Sequence, residues 1–84
     1  MHLYVPWLKN YFEEYTGEPL PVNIETDNYF DAGLIDSFAV IELIEAIEQE
    51  FDIEFDEDDF QDRRFVTMAG LSEIIQERKD KKNE

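Results

Sequence analysis

The chain has 84 residues, 43% of them hydrophobic, with 22 acidic and 7 basic side chains and a formal net charge of −15. At this length folding buries only about 60% of the chain's surface, so there is room for one small core but not for a deep, self-contained active site. The charge repels nucleic acid and anionic lipid and favours basic protein partners or cations, while seven Phe, four Tyr and one Trp are too much apolar mass for a disordered chain.

From Tyr4 to Tyr15, the residues Tyr4, Trp7, Leu8, Tyr11, Phe12 and Tyr15 fall at the spacing of one helical face. Pro6 suits the first turn of such a helix and Gly17 its stop. Gly17 to Gly33 carries two prolines and no helical period, which predicts a long ordered connection. Leu20, Val22 and Ile24 alternate as in a strand, but Pro21 interrupts them and a lone short strand is not stable.

The strongest pattern runs from Ser37 to Phe51, where Val40, Leu43, Ile44, Ile47 and Phe51 form a core-facing stripe and Glu42, Glu45, Glu48, Gln49 and Glu50 take the other faces. Asp36, just before it, is a preferred N-cap type. "DIEFDEDDF" alternates apolar and acidic residues; it reads as a loop pinned by Ile53 and Phe55 rather than an edge strand, with a short helical turn over Glu57 to Arg63. Thr67 suits the cap of a last helix with Met68, Leu71, Ile74 and Ile75 on one side and Gly70 as a mild weakness.

Charge is unevenly spread. Residues 42–62 hold eleven acids and no Lys or Arg, whereas residues 78–84, "RKDKKNE", hold four of the seven basic side chains. Basic residues in a last turn complement the helix dipole, so this tail reads as a helix end fraying into solvent. The sum is an all-α, four-helix bundle over residues 1–84: three main helices, one short one, and a long loop between helices 1 and 2.

There is no cysteine, hence no disulfide and no thiolate ligand for a metal. The N-terminus lacks the pattern of a secretory signal, and no apolar run approaches the roughly 18 residues of a membrane span, so a soluble cytoplasmic protein is expected.

Catalytic chemistry finds little support. A serine hydroxyl needs a base, and the sole histidine is His2, at a terminus; no G-x-S-x-G elbow surrounds Ser37, which stands in Ile35-Asp36-Ser37-Phe38-Ala39. "DIEFDEDDFQDR" lacks the glycine of an EF-hand loop and places Phe55 and Phe60 where ligands would sit, so no metal site is expected; the acids read as a solvated face, with loose divalent-cation association left open. Either Asp36 or Ser37 can cap the helix. Capping does not explain Phe38, a bulky apolar group beside the hydroxyl and off the core stripe. A helix start also presents unpaired N–H groups and a positive dipole end, which favour an anion such as a phosphate ester. The site suits a serine that is modified rather than one that attacks.

Over "FDAGLIDSFAVIELIEAIEQEF" the chain resembles acyl carrier proteins and the related peptidyl and aminoacyl carrier domains: Gly33, Leu34, a spacer, Asp36, Ser37, an apolar residue, then a helix with a glutamate-rich face. The order of elements extends the resemblance over the whole length. It implies that Ser37 receives a 4′-phosphopantetheine arm from coenzyme A, transferred by a separate Mg²⁺-dependent phosphopantetheinyl transferase, with Gly33, Leu34, Asp36 and Phe38 framing the site. It further implies a non-catalytic, monomeric carrier of acyl or aminoacyl thioesters, whose Asp36, Glu42, Glu45 and Glu48 meet basic patches on the transferase and on acyl-processing enzymes, with Phe38 and Ile41 as apolar contacts. Carriers of fatty acid synthesis commonly have leucine and then an acidic or polar residue after the serine. Phe38 and Ala39 here are closer to stand-alone D-alanyl carriers and other specialised carriers. The reading from another class is an unmodified acidic interaction module whose serine only caps a helix.

Overall fold

The computed structural model describes residues 2–82. Three α-helices, α1 (Val5–Thr16), α2 (Ala39–Phe51) and α3 (Met68–Lys82), are joined by segments holding 3-10 turns at Ile24–Thr26, Glu57–Gln61 and Arg63–Val66; there is no strand among the described residues.

α1 stops at Gly17, whose φ of 72° lets its N–H bond the carbonyl of Glu13 at 2.8 Å. Val5, Leu8 and Phe12 are buried, Tyr4, Trp7 and Tyr11 half-buried, and Tyr15 exposed, so the inward stripe is narrower than the periodic one. Tyr4 and Trp7 meet Phe51, at the far end of α2, edge to face with ring centroids 4.9 and 5.2 Å apart. From α2, Leu43, Ile44 and Ile47 enter the core, with Val40 and Phe51 at its margin. α3 contributes Met68, Leu71, Ile74 and Ile75, all without exposed surface, each such side chain stabilising the fold by about 1.5–3 kcal/mol relative to exposure.

The connection from Gly17 to Gly33 is ordered by what it buries. Ile24 sits in the first 3-10 turn and Tyr29 has no exposed surface. Tyr29 donates its backbone N–H to the carbonyl of Val66 at 3.0 Å, accepts from Leu34 N–H at 3.0 Å, and donates its hydroxyl to the carbonyl of Phe65. Burial pushes its phenol above the ordinary tyrosine range.

The expected short helix is two 3-10 turns. Asp62 breaks them: it leaves helical backbone and its Oδ1 accepts from Arg64 N–H at 2.9 Å, starting a second turn. Thr67 Oγ1 then accepts from Gly70 N–H at 2.9 Å as the cap of α3. Gly70 is more than a weak helix residue. A Cβ there would stand 2.1 Å from the Arg64 carbonyl oxygen, so glycine is what lets α3 lie against the preceding turn.

The basic end differs from the sequence expectation. α3 stays helical through Lys82 and docks on the acidic segment: Arg78 binds Asp56 at 2.7 Å and the buried Asp59 at 2.8 Å, and Lys82 meets Asp52 at 2.5 Å. A frayed tail from residue 78 is therefore incorrect over 78–82, because the acids of the α2–α3 connection supply partners that dipole reasoning ignores; residues 83 and 84 lie outside the described residues. The Asp56–Asp59 capping box fixes that connection, with Asp56 N–H 2.8 Å from Asp59 Oδ2.

Candidate functional site

The segment leading to α2 is anchored on one side and free on the other. Gly33 turns the chain at φ 76°, Leu34 is half-buried and Ile35 is buried, and then Asp36, Ser37 and Phe38 are all exposed. α2 begins at Ala39, two residues after Ser37, where the sequence pattern starts.

Asp36, and not Ser37, caps the helix. Its Oδ1 accepts from Ala39 N–H at 2.8 Å and from Phe38 N–H at 3.1 Å, and its backbone carbonyl accepts from Val40 N–H at 3.1 Å. Two of the N–H groups expected to stand unpaired for an anion, those of Phe38 and Ala39, are thus occupied by a carboxylate of the chain itself. Among the described residues the Ser37 hydroxyl has no hydrogen-bond partner in the fold.

Serine occurs at one other position, Ser72, and the two are opposites. Ser72 is 1% exposed and its Oγ accepts from Tyr4 N–H at 2.9 Å, which ties the start of α1 to α3. Of the two, only Ser37 is exposed.

Phe38, 83% exposed, and Ile41, 55% exposed, leave apolar surface beside the serine. Glu42 and Glu45 are exposed on the same helix. The Tyr11 phenol is raised above its ordinary range, first by burial and then by the charge of Glu42. Glu48 is half-buried, and its Oε2 accepts from Phe55 N–H at 3.0 Å, so one of the four carboxylates expected to face partners also fastens the loop after α2. Periodicity could not show this, because Phe55 lies seven residues away across a helix end. His2 is exposed, with Nδ1 3.9 Å from a Glu73 carboxylate oxygen.

An exposed hydroxyl without a base or an internal partner, ahead of a rigid capped helix, fits a group attached by another enzyme. The chain matches the family model described as phosphopantetheine attachment site over residues 6–75. It belongs to the acyl carrier protein family. No curated protein and no solved structure gave a significant match.

Domains of this family are sites of covalent 4′-phosphopantetheine attachment and generally carry rather than catalyse, working with modifying and processing enzymes. The all-α carrier fold accords with the three helices. The match ends at Ile75, so the Arg78–Lys82 clamp on the acidic segment lies beyond it. No helix among the described residues is long and apolar enough to cross a membrane.

Proposed function

We propose that Ser37 is the residue that receives 4′-phosphopantetheine, and that the chain is a non-catalytic, monomeric, cytoplasmic carrier of acyl or aminoacyl thioesters, specialised rather than the main fatty-acid carrier. The observation that carries this reading is the pair of serines: Ser37 is exposed, Ser72 is buried and bonded to Tyr4. Asp36 does the capping, so Ser37 is not needed as a cap, which supports the carrier reading over an unmodified interaction module.

The bound arm supplies a thiol that holds cargo as a thioester, chemistry that a cysteine-free chain does not have. The protein's own residues position that arm. Gly33 and Leu34 set the turn, Asp36 fixes the helix start, and the exposed Phe38 and Ile41 offer apolar contact to the transferase and to loading and transferring enzymes. Glu42 and Glu45, with the outer edge of Glu48, attract basic patches on those partners, governing encounter rate more than affinity.

Incubation with coenzyme A, Mg²⁺ and a broad-specificity phosphopantetheinyl transferase, followed by fragmentation of the intact chain in a mass spectrometer, tests the assignment. The added mass is expected between Ile35 and Phe38. Mass added at Ser72, or none at all, would overturn it.

A further inference from the structure

α2 ends against its own charge. It has no basic residue in its last turn, and Glu48, Glu50 and Asp52 stand at the negative end of its dipole, where cations are favoured and acids are not. The end of α3, past the family match, supplies the missing cations. Lys79 Nζ donates to the Phe51 carbonyl at 3.4 Å and Lys82 Nζ to the Asp52 carbonyl at 2.5 Å, the same ammonium meeting the Asp52 carboxylate. Chiefly through that hydrogen bond, Lys82 holds the Asp52 carboxyl below its ordinary range.

This clamp has a fixed part and an exchangeable part. Arg78 is anchored on Asp59 at 2.8 Å, where the aspartate side chain is only 6% exposed. Lys82 and Asp52 instead face solvent, the Asp52 side chain being 91% exposed. An ion pair in water is worth little, so a cation from another protein can take the lysine's place.

The exchangeable part lies beside carboxylates that partners need. Glu45 and Glu48 line a hollow of about 780 Å³ between the ends of α2 and α3, together with Asp52, Arg78, Lys81 and Lys82. Phe38, Ile41 and Glu42 do not line it, and no ion pair among the described residues involves Asp36 or Glu42. The serine end of α2 therefore keeps its negative charge unpaired, while at the far end the chain's own bases stand where a partner's would.

We propose that the end of α3 is a built-in competitor of basic partners: Lys82, carried on the Arg78 anchor, occupies the far end of the acidic face of α2 and leaves the serine end as the half that a Lys- or Arg-rich patch engages. The inference rests on the reading that this face meets basic partners.

Lys82→Gln and Lys9→Gln each remove one ion-paired lysine and reach the same net charge; Lys9 pairs with Glu25 at 3.2 Å beside a separate hollow. The KM of a phosphopantetheinyl transferase for each chain is measured at saturating coenzyme A. At low ionic strength Lys82→Gln is expected to have a KM about two- to fivefold below that of Lys9→Gln with kcat unchanged, the range an exposed pair supplies. The difference is expected to vanish in about 1 M NaCl, where the screening length is about 3 Å. Lys82→Arg, which keeps the cation, is expected to follow the wild type.

Equal KM values for the two glutamine variants at low salt, or a higher one for Lys82→Gln, would overturn the proposal. Should no variant accept phosphopantetheine, titration with an oligolysine peptide decides in its place. Tighter binding to Lys82→Gln than to Lys9→Gln then upholds the competitor while the carrier reading falls, and equal binding overturns both.

Discussion

Asp36 Oδ1 lies 2.8 Å from the backbone N–H of Ala39, so the residue before the serine holds the start of α2 and the serine does not. On the proposed reading, this division of labour separates stability from modification at adjacent positions.

Asp36→Ala is expected to cost about 1 kcal/mol in urea denaturation, the usual worth of a cap, whereas Ser37→Ala is expected to stay within about 0.5 kcal/mol of wild type. Asp36→Asn keeps the acceptor and should fall nearer the wild type than Asp36→Ala. A Ser37→Ala loss as large as that of Asp36→Ala would mean the hydroxyl is the cap after all.

Gly70→Ala sets two effects against each other. Helix propensity favours alanine by about 1 kcal/mol, but the new Cβ would meet the Arg64 carbonyl oxygen at 2.1 Å, and overpacking against backbone costs about 1–3 kcal/mol. Backbone cannot swing aside like a side-chain end, so a net loss is expected in thermal unfolding. An unchanged or raised Tm would show that α3 does not sit this close to the turn.

Arg78 shares its guanidinium between Asp56 and the buried Asp59, and it is mostly shielded itself. Arg78→Met keeps the apolar stem while leaving the Asp59 carboxylate without its cation, at an expected cost of about 2 kcal/mol. In a double-mutant cycle with Asp59→Asn the two losses should fall short of additivity. Strict additivity would show that the docked end of α3 contributes nothing through this pair.

The Arg64 guanidinium bonds Glu77 at 2.6 Å and Asp62 at 2.8 Å and holds both carboxyls below their ordinary range, in each case chiefly through the direct side-chain hydrogen bond. A depressed folded pKa gives stability that is complete above the unfolded value, about 4 for these groups, and is lost as pH falls through the folded value. The Tm gap between wild type and Arg64→Gln is thus expected to be widest at neutral pH and to close below about pH 4. A gap that persists unchanged through that acidic range would contradict the assignment.

Much of this molecule is legible in its sequence where one element speaks for itself. The stripe Leu43, Ile44, Ile47 names the buried face of α2, Thr67 names the cap of α3, and the run from Gly33 to Phe38 carries the resemblance to the family that the chain matches. What stays hidden depends on residues far apart in the chain. Tyr29 looks like any loop aromatic until Phe12 and the Phe65 carbonyl close around it, and Gly70 looks like a defect until the Arg64 backbone lies against it. The basic end reads as a solvated tail because its partners, Asp52, Asp56 and Asp59, lie about two dozen residues earlier in the chain. The choice of Asp36 over Ser37 as cap is likewise a matter of side-chain rotamer, which composition does not specify.

The most direct test of the account is intact-mass measurement of wild type, Ser37→Ala and Ser72→Ala after incubation with coenzyme A, Mg²⁺ and a phosphopantetheinyl transferase. The account predicts one added phosphopantetheine on the wild type and, where the fold survives, on Ser72→Ala, and none on Ser37→Ala. Addition to Ser37→Ala, or an unmodified wild-type chain, would contradict it.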